Sequence, residues 1–338
     1  MFNKLYEKTK NFIKRNYKEI IGLAIFAFVM LFPLPYYIYA GGGTIDIANR
    51  VSIDGETKSN GSFNLAYVTQ LKGTIPTLLL SYLIPSFDRV EVNDYKLNEN
   101  ETEADVSFRE KLSLMEANQT AIKLAYEKAG ATFTVKKANP YVIYINEEAD
   151  TSLKIGDILK KVNEKVITDI DVYKEVVANT KVNEKLNLVV ERNGKEVNAY
   201  ATVKTIDNSK ITGISITQIY DYEVDPKLTL SFKSSETGPS GGLMLTLAIY
   251  DKLVEEDITH GLKIVGTGTI SSDGTVGEIG GVKYKLQGAV ADKANVFICP
   301  LGNNYDEVVK LVEEKKYNIK VIGVSTFNEA LEQLEKLR

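Results

Sequence analysis

Residues 236–250 read ETGPSGGLMLTLAIY, and residues 265–289 read VGTGTISSDGTVGEIGGVKYKLQGA. The first stretch is a tight turn with an apolar helix behind it. Gly238 and Pro239 deliver Ser240, and residues 243–250 carry no charge. Ser240 is therefore expected at a helix N-terminus, where free backbone N–H groups and the helix dipole stabilise an oxyanion. Gly241 and Gly242 let a substrate carbonyl come close to the backbone. The second stretch holds a hairpin turn at Asp273-Gly274, then Gly280-Gly281 opening a helix that bears Lys283 and Lys285. A lysine is a general base only when neutral, so burial has to draw its pKa from ~10.4 toward ~7–8.

On its own, GPSGG has other readings. It matches G-x-S-x-G, the nucleophile elbow of α/β-hydrolases, which needs an acid and then a histidine well downstream. The single histidine, His260, follows Ser240 too closely for strand-helix repeats to intervene. A glycine-rich helix start with a capping serine is the plainest alternative. One histidine and one cysteine, Cys299, also exclude a paired Cys/His zinc set and an internal disulfide framework. No GxxxxGK[ST] phosphate loop occurs, so nothing points to nucleotide hydrolysis or any cofactor.

Length and composition bound the rest. The 338 residues suggest about two domains plus an extra segment. With 44% hydrophobic and 25% charged residues, the chain can bury real cores. A net charge of −4 argues against nucleic acid as a partner.

Residues 20–40, IIGLAIFAFVMLFPLPYYIYA, carry no charge and are long enough as a helix to cover a ~30 Å hydrocarbon core. Lys4, Lys8, Lys10, Lys14, Arg15 and Lys18 precede them, opposed only by Glu7 and Glu19. That bias predicts a single-pass signal anchor at the cell membrane, the amino end cytoplasmic and the body extracellular. Tyr36, Tyr37 and Tyr39 suit an outer aromatic belt. A cut after Ala40, with Ile38 large for a signal-peptidase site, and a buried core helix are the competing outcomes.

Beyond the anchor, residues 44–51 and 61–71 alternate as strands, and residues 108–130 read as a helix closed by Gly130. Strands at 132–135 and 141–145 follow, then LKIGDIL at 153–159, a helix over 170–177, and strands at 186–191 and 197–202 around the Asn193-Gly194 turn.

The paired motifs resemble the Lon (S16) family of Ser-Lys peptidases. GPSGG is similar to that family's G-P-S-A-G, and residues 267–285 to its T-G-x-I-x-x-x-G-x-V-x-x-I-G-G-x-K-x-K. The resemblance covers residue 211 to the carboxyl end. It implies Ser240 as nucleophile, Lys285 as base, Thr267 orienting the lysine, and Gly238 and Gly241 in support. Lys283 is left as a supporting or surface residue. Two family acids are absent, replaced by Thr237 and Thr269, with Glu236 adjacent to the first.

LKIGDILKKVNEKVI, residues 153–167, resembles the core of a PDZ domain. That family takes peptides by strand addition, which implies a groove along Tyr141, Val142 and Ile143 against the helix at 170–177. The expected fold is thus α+β: a transmembrane helix, a PDZ β-barrel module and a Lon-type α/β proteolytic domain. The expected segments are 1–19 as basic tail, 20–40 as anchor, 41–130 before the PDZ module, 131–205 as that module, and 206–338 as the peptidase. Residues 41–130 lack an evident core of their own, so they are expected to complete the peptidase sheet.

Anchor, PDZ module and Lon-like domain together resemble the YlbL/SepM group of bacterial surface peptidases, some of which trim signalling peptides. This implies a serine endopeptidase working without ATP on short or unfolded peptides. Its oligomeric state stays open. The competing class is a catalytically silent, peptide-binding surface scaffold.

Overall fold

The computed structural model describes residues 2–84, 86–233 and 236–338; Ser235 and the side chain of Lys4 lie outside that description. The described chain divides into two units, residues 1–41 with 69–95, and residues 42–68 with 96–338.

The first unit opens with helix Phe2–Leu31, interrupted at Asn16 where the backbone leaves helical geometry. Its amino half is basic and its carboxyl half apolar. Leu23, Phe26, Phe28 and Leu31 are each at least 60% exposed. The helix does not continue through residue 40. Pro33 and Pro35 lack the N–H that the next turns need, and the tyrosine-rich run after them favours a strand. Tyr36–Ala40 accordingly becomes the central strand of a three-stranded antiparallel sheet, between Thr69–Lys72 and Asp88–Glu91, with Ile38 fully buried.

This corrects the sequence expectation of a transmembrane helix over residues 20–40. Only residues 20–31 of that run are helical, about 18 Å at 1.5 Å per residue. Among the described residues, no helix is long and apolar enough to cross a membrane. A second apolar helix, Ile75–Leu83, begins at a Thr74–Thr77 capping box and leaves Leu79, Tyr82 and Leu83 exposed.

The second unit is built on a five-stranded sheet in the order Thr44–Asp46, Ser62–Ala66, Lys263–Gly266, Val296–Pro300, Lys320–Val324. The first pair is antiparallel and the remaining three pairs are parallel. Parallel strands buried on both faces read as continuous apolar runs, and residues 296–300 (VFICP) are buried throughout. Alternation then divides them. Ile264, Val296 and Ile298 join one core with helices Glu103–Ala129, Gly242–Leu253 and Phe327–Glu335. Val265, Phe297 and Cys299 face the other, under helices Val282–Ala291 and Asn303–Lys315. Cys299 is fully buried there, and burial pushes its thiol up to about 12, so it is an inert core residue.

Helix Glu103–Ala129 starts at a Thr102–Asp105 capping box and ends on Gly130 in the left-handed conformation. It lays Ala121, Ile122, Ala125 and Tyr126, all fully buried, in the core shared with helix Gly242–Leu253. The peptidase-like sheet and its helices therefore draw on residues from both sides of a β module, which is an insertion.

That module has its own core around Val142, Leu159, Val162, Leu186 and Val190. Its strands run in the order Lys195–Thr202, Lys185–Arg192, Ile158–Val162, Thr132–Ile145, Ile214–Asp225. Buried Asp157 receives Arg192 on both oxygens at 2.7 Å and the Lys154 N–H, locking the turn at Gly156. Thr132–Ile145 and Ile214–Asp225 form one long ribbon that spans both cores. Ile145, Ile214 and Ile216 pack on the module core, while Phe133, Tyr222 and Val224 pack on the main core. Sequence reading split the first of these strands in two; Pro140 lies within it as the partner of Gln218.

Candidate active site

Ser240 lies immediately before helix Gly242–Leu253, whose Leu243, Met244, Leu247 and Ile249 are fully buried. The turn ahead of it needs glycine twice. Gly238 has φ +85°, and its N–H donates to the Glu110 carbonyl at 3.2 Å. At Gly242, a Cβ would come within 2.6 Å of the Ile270 side chain. Gly241 stands against Leu65, whose methyl groups a Cβ there would meet at 3.0 and 3.1 Å.

The turn is tied to the strand that starts the second motif. The Ser240 carbonyl accepts the Gly268 N–H at 2.8 Å and the Thr267 hydroxyl at 3.0 Å. Gly268 returns its own carbonyl to the Leu243 N–H at 3.1 Å. The Gly242 N–H is taken by the Pro239 carbonyl. Among the described residues, the N–H groups of Ser240 and Gly241 have no such acceptor, an arrangement able to hold an oxyanion.

Lys285 comes from helix Val282–Ala291, which starts after Gly281. Its Nζ donates to Thr267 Oγ1 at 2.9 Å, so Thr267 bridges Lys285 to the Ser240 backbone carbonyl. Thr267 is fully buried, and Lys285 is only 4% exposed. Burial draws the Lys285 amine down from 10.5 to about 8, the range that a base needs near neutral pH. No charged neighbour contributes to that change. Helical spacing separates the two lysines of the motif. Lys285 points into the core beside Tyr284 and Leu286, whereas Lys283 is half-buried, with its ammonium 4.9 Å from the centre of the Tyr284 ring.

His260 stands in the turn that follows the far end of helix Gly242–Leu253, with its N–H on the Asp257 carbonyl. The histidine relay of an α/β-hydrolase elbow is thus not assembled at Ser240. Glu236, which sequence reading set beside the missing family acid, pairs with Arg50 at 2.6 Å.

Comparison with known proteins finds matches for two segments of the chain. Residues 233–336 match the C-terminal proteolytic domain of Lon protease (S16), and residues 128–203 match a PDZ domain. This is a Lon-like, PDZ-containing chain. Lon protease 2 of Borreliella burgdorferi is 32% identical over 139 residues, 40% of this chain and 16% of that protein. Lon protease of Neorickettsia sennetsu is 32% identical over 98 residues, 29% of this chain and 12% of the relative. The chain thus spans about a sixth or less of the length of these relatives. The PDZ domain of an SdrC-like protein from Listeria monocytogenes aligns at 17% identity and a TM-score of 0.23, covering 24% of this chain and 90% of that one. The segment that matches the Lon proteolytic domain contains Ser240, Thr267 and Lys285.

In the PDZ domain the structure corrects the groove. Tyr141, Val142 and Ile143 lie on an interior strand with both edges in use. Tyr141 pairs with Thr217 on one side and Ile158 on the other, and Val142 exchanges backbone bonds with Gly156 and Asp157. The sheet ends instead on Ile214–Asp225. That strand borders helix Ile170–Asn179: Gln218 Oε1 accepts the Ile170 N–H at 2.7 Å, and Thr212 Oγ1 lies 2.9 Å from the Tyr173 hydroxyl. Further along, Gln119 closes the edge by bonding the Gln218 carbonyl and the Tyr220 N–H, each at 2.8 Å. Among the described residues, 214–217 are thus the stretch of this edge that no partner strand covers. Its signal was present as Thr212-Gly213-Ile214-Ser215-Ile216, with Gly213 at φ +73°, but it lies after the segment assigned to the module.

Proposed function

We propose that this chain is an ATP-independent serine endopeptidase that cleaves short or unfolded peptides with a Ser240–Lys285 dyad. The observation that carries this reading is the buried Lys285 amine, held by Thr267, whose hydroxyl in turn bonds the Ser240 backbone carbonyl. The neutral amine takes the Ser240 Oγ proton, and Oγ attacks the peptide carbonyl carbon. The resulting oxyanion is held by the N–H groups at the helix start. Collapse of the tetrahedral intermediate breaks the C–N bond, and the Lys285 ammonium returns the proton to the leaving amine. Water then hydrolyses the acyl-serine by the same proton path in reverse.

The open PDZ edge at 214–217 supports peptide capture by strand addition, which raises the local peptide concentration at the dyad. Substrates such as secreted signalling peptides fit this size and flexibility. The purified chain, incubated without nucleotide with a library of unstructured peptides, is expected to yield fragments by mass spectrometry. Peptides that bind and stay intact would move the reading to a silent scaffold.

The same reading places the protein at the cell membrane. Its support is the exposed apolar carboxyl half of helix Phe2–Leu31, the exposed Leu79, Tyr82 and Leu83, and the basic stretch with Lys8, Lys10, Lys14, Arg15 and Lys18. An apolar surface beside a cationic one suits anionic lipid. In density-gradient flotation, the chain is expected to rise with phosphatidylglycerol-containing vesicles. The double substitution Leu79→Glu, Leu83→Glu should reduce the floated fraction severalfold. A wild-type chain that remains at the bottom rules this placement out.

A further inference from the structure

Glu110, on helix Glu103–Ala129, reaches the nucleophile turn from outside both motifs. Its backbone carbonyl holds the Gly238 N–H, and its Oε2 lies 3.2 Å from where a Cβ on Gly238 would stand. Gly238 is two residues from Ser240, at most about 7.6 Å between Cα atoms at 3.8 Å per step. A substrate strand advances about 3.3 Å per residue. The carboxylate is therefore close enough to meet side chains flanking the cleaved bond.

Among the described residues, Arg109 is the one ion-pair partner of Glu110, and it is shared. Arg109 bonds both oxygens of the buried Glu101, through Nε at 3.0 Å and Nη2 at 3.1 Å. The third nitrogen, Nη1, stands 3.7 Å from Glu110 Oε1, beyond hydrogen-bond distance. Two carboxylates thus share one guanidinium, leaving one net negative charge beside the turn. Glu236, the other nearby acid in the sequence, is held by Arg50. Partial burial raises the Glu110 carboxyl pKa, against the attraction of Arg109, so a second cation at this point is favourable.

Resting on the peptidase reading above, we infer that Glu110 is a specificity residue, selecting peptides with lysine or arginine within two residues of the cleaved bond. It recognises the substrate cation; it does not take part in bond making.

The test uses matched peptides that differ only in Lys, Gln or Glu at those flanking positions. Cleavage by wild type, Glu110→Gln and Glu110→Lys is compared as kcat/KM. Wild type is expected to prefer the Lys over the Gln peptide by about ten-fold, the scale of one charge-assisted contact. Glu110→Gln should remove that preference with little change on the Gln peptide, and Glu110→Lys should favour the Glu peptide. A merely structural role would lower all peptides alike, and that result overturns the inference, as does an unchanged Lys/Gln ratio in Glu110→Gln. Wild type that cleaves none of them refutes the peptidase reading and this inference with it. Wild type that cleaves all of them equally refutes the inference alone.

Discussion

Ser240→Ala is expected to lower peptide cleavage by about 10⁴-fold or more, the loss seen when an activated nucleophile is removed. The fold should not notice the change. The bonds that Thr267 and Gly268 make to Ser240 go to its backbone carbonyl, and alanine keeps that carbonyl. The half-buried side chain leaves no core cavity when its hydroxyl is lost. The melting temperature should therefore stay within the small range of surface substitutions, about ±0.5 kcal/mol in stability. Residual activity within ten-fold of wild type would falsify the assignment of Ser240.

Lys285→Met is expected to abolish cleavage and to stabilise the protein, a combination that a structural lysine does not give. Holding an amine at about 8 instead of 10.5 disfavours the buried ammonium by roughly 3 kcal/mol, at 1.36 kcal/mol per pH unit. Below about pH 8 the group is protonated in both folded and unfolded chains, and the folded state carries this whole cost. Between about 8 and 10.5 the unfolded chain holds a proton that the folded chain has released, so wild-type stability rises with pH across that window. Methionine removes the burden. Its gain in melting temperature should be largest at pH 7 and shrink toward pH 10. Wild-type cleavage should climb with pH through about 8 as the neutral amine forms. A flat rate profile from pH 6.5 to 9.5, or a Lys285→Met protein less stable than wild type at pH 7, would count against Lys285 as the base.

The candidate site was legible because its residues sit in local patterns. GPSGG before an apolar run announces a turn feeding a helix, and T-G…G-G-x-K-x-K announces a hairpin feeding another. Each element needs only its own turn residues and periodicity to form. Helix periodicity also separates the two lysines once one face of Val282–Ala291 is known to be buried.

Two expectations failed for tertiary reasons. An uncharged run of residues 20–40 satisfies a hydropathy rule, yet Pro33 and Pro35 and a pairing between Tyr36–Ala40 and two distant strands turned its end into sheet. The PDZ groove was misplaced because every strand has two edges, and only the sheet order tells which is free. Tyr141–Ile143 look like an accepting strand until Ile214–Asp225, some seventy residues on, covers them.

Local sequence thus determined the two turns, the helices behind them and the identities of Ser240, Thr267 and Lys285, since short-range backbone geometry and side-chain type specify these. Their meeting was decided elsewhere. Thr267 reaches Ser240 only because Lys263–Gly266 takes its place in a parallel sheet, between Ser62–Ala66 and Val296–Pro300. Lys285 is a weak acid near pH 8 only because helix Val282–Ala291 is packed on that sheet and stripped of water. Glu110 stands beside the nucleophile turn only because its helix shares a core with Gly242–Leu253 across the PDZ insertion. Burial and proximity between residues more than a hundred positions apart are properties of the packed chain, and no local pattern encodes them.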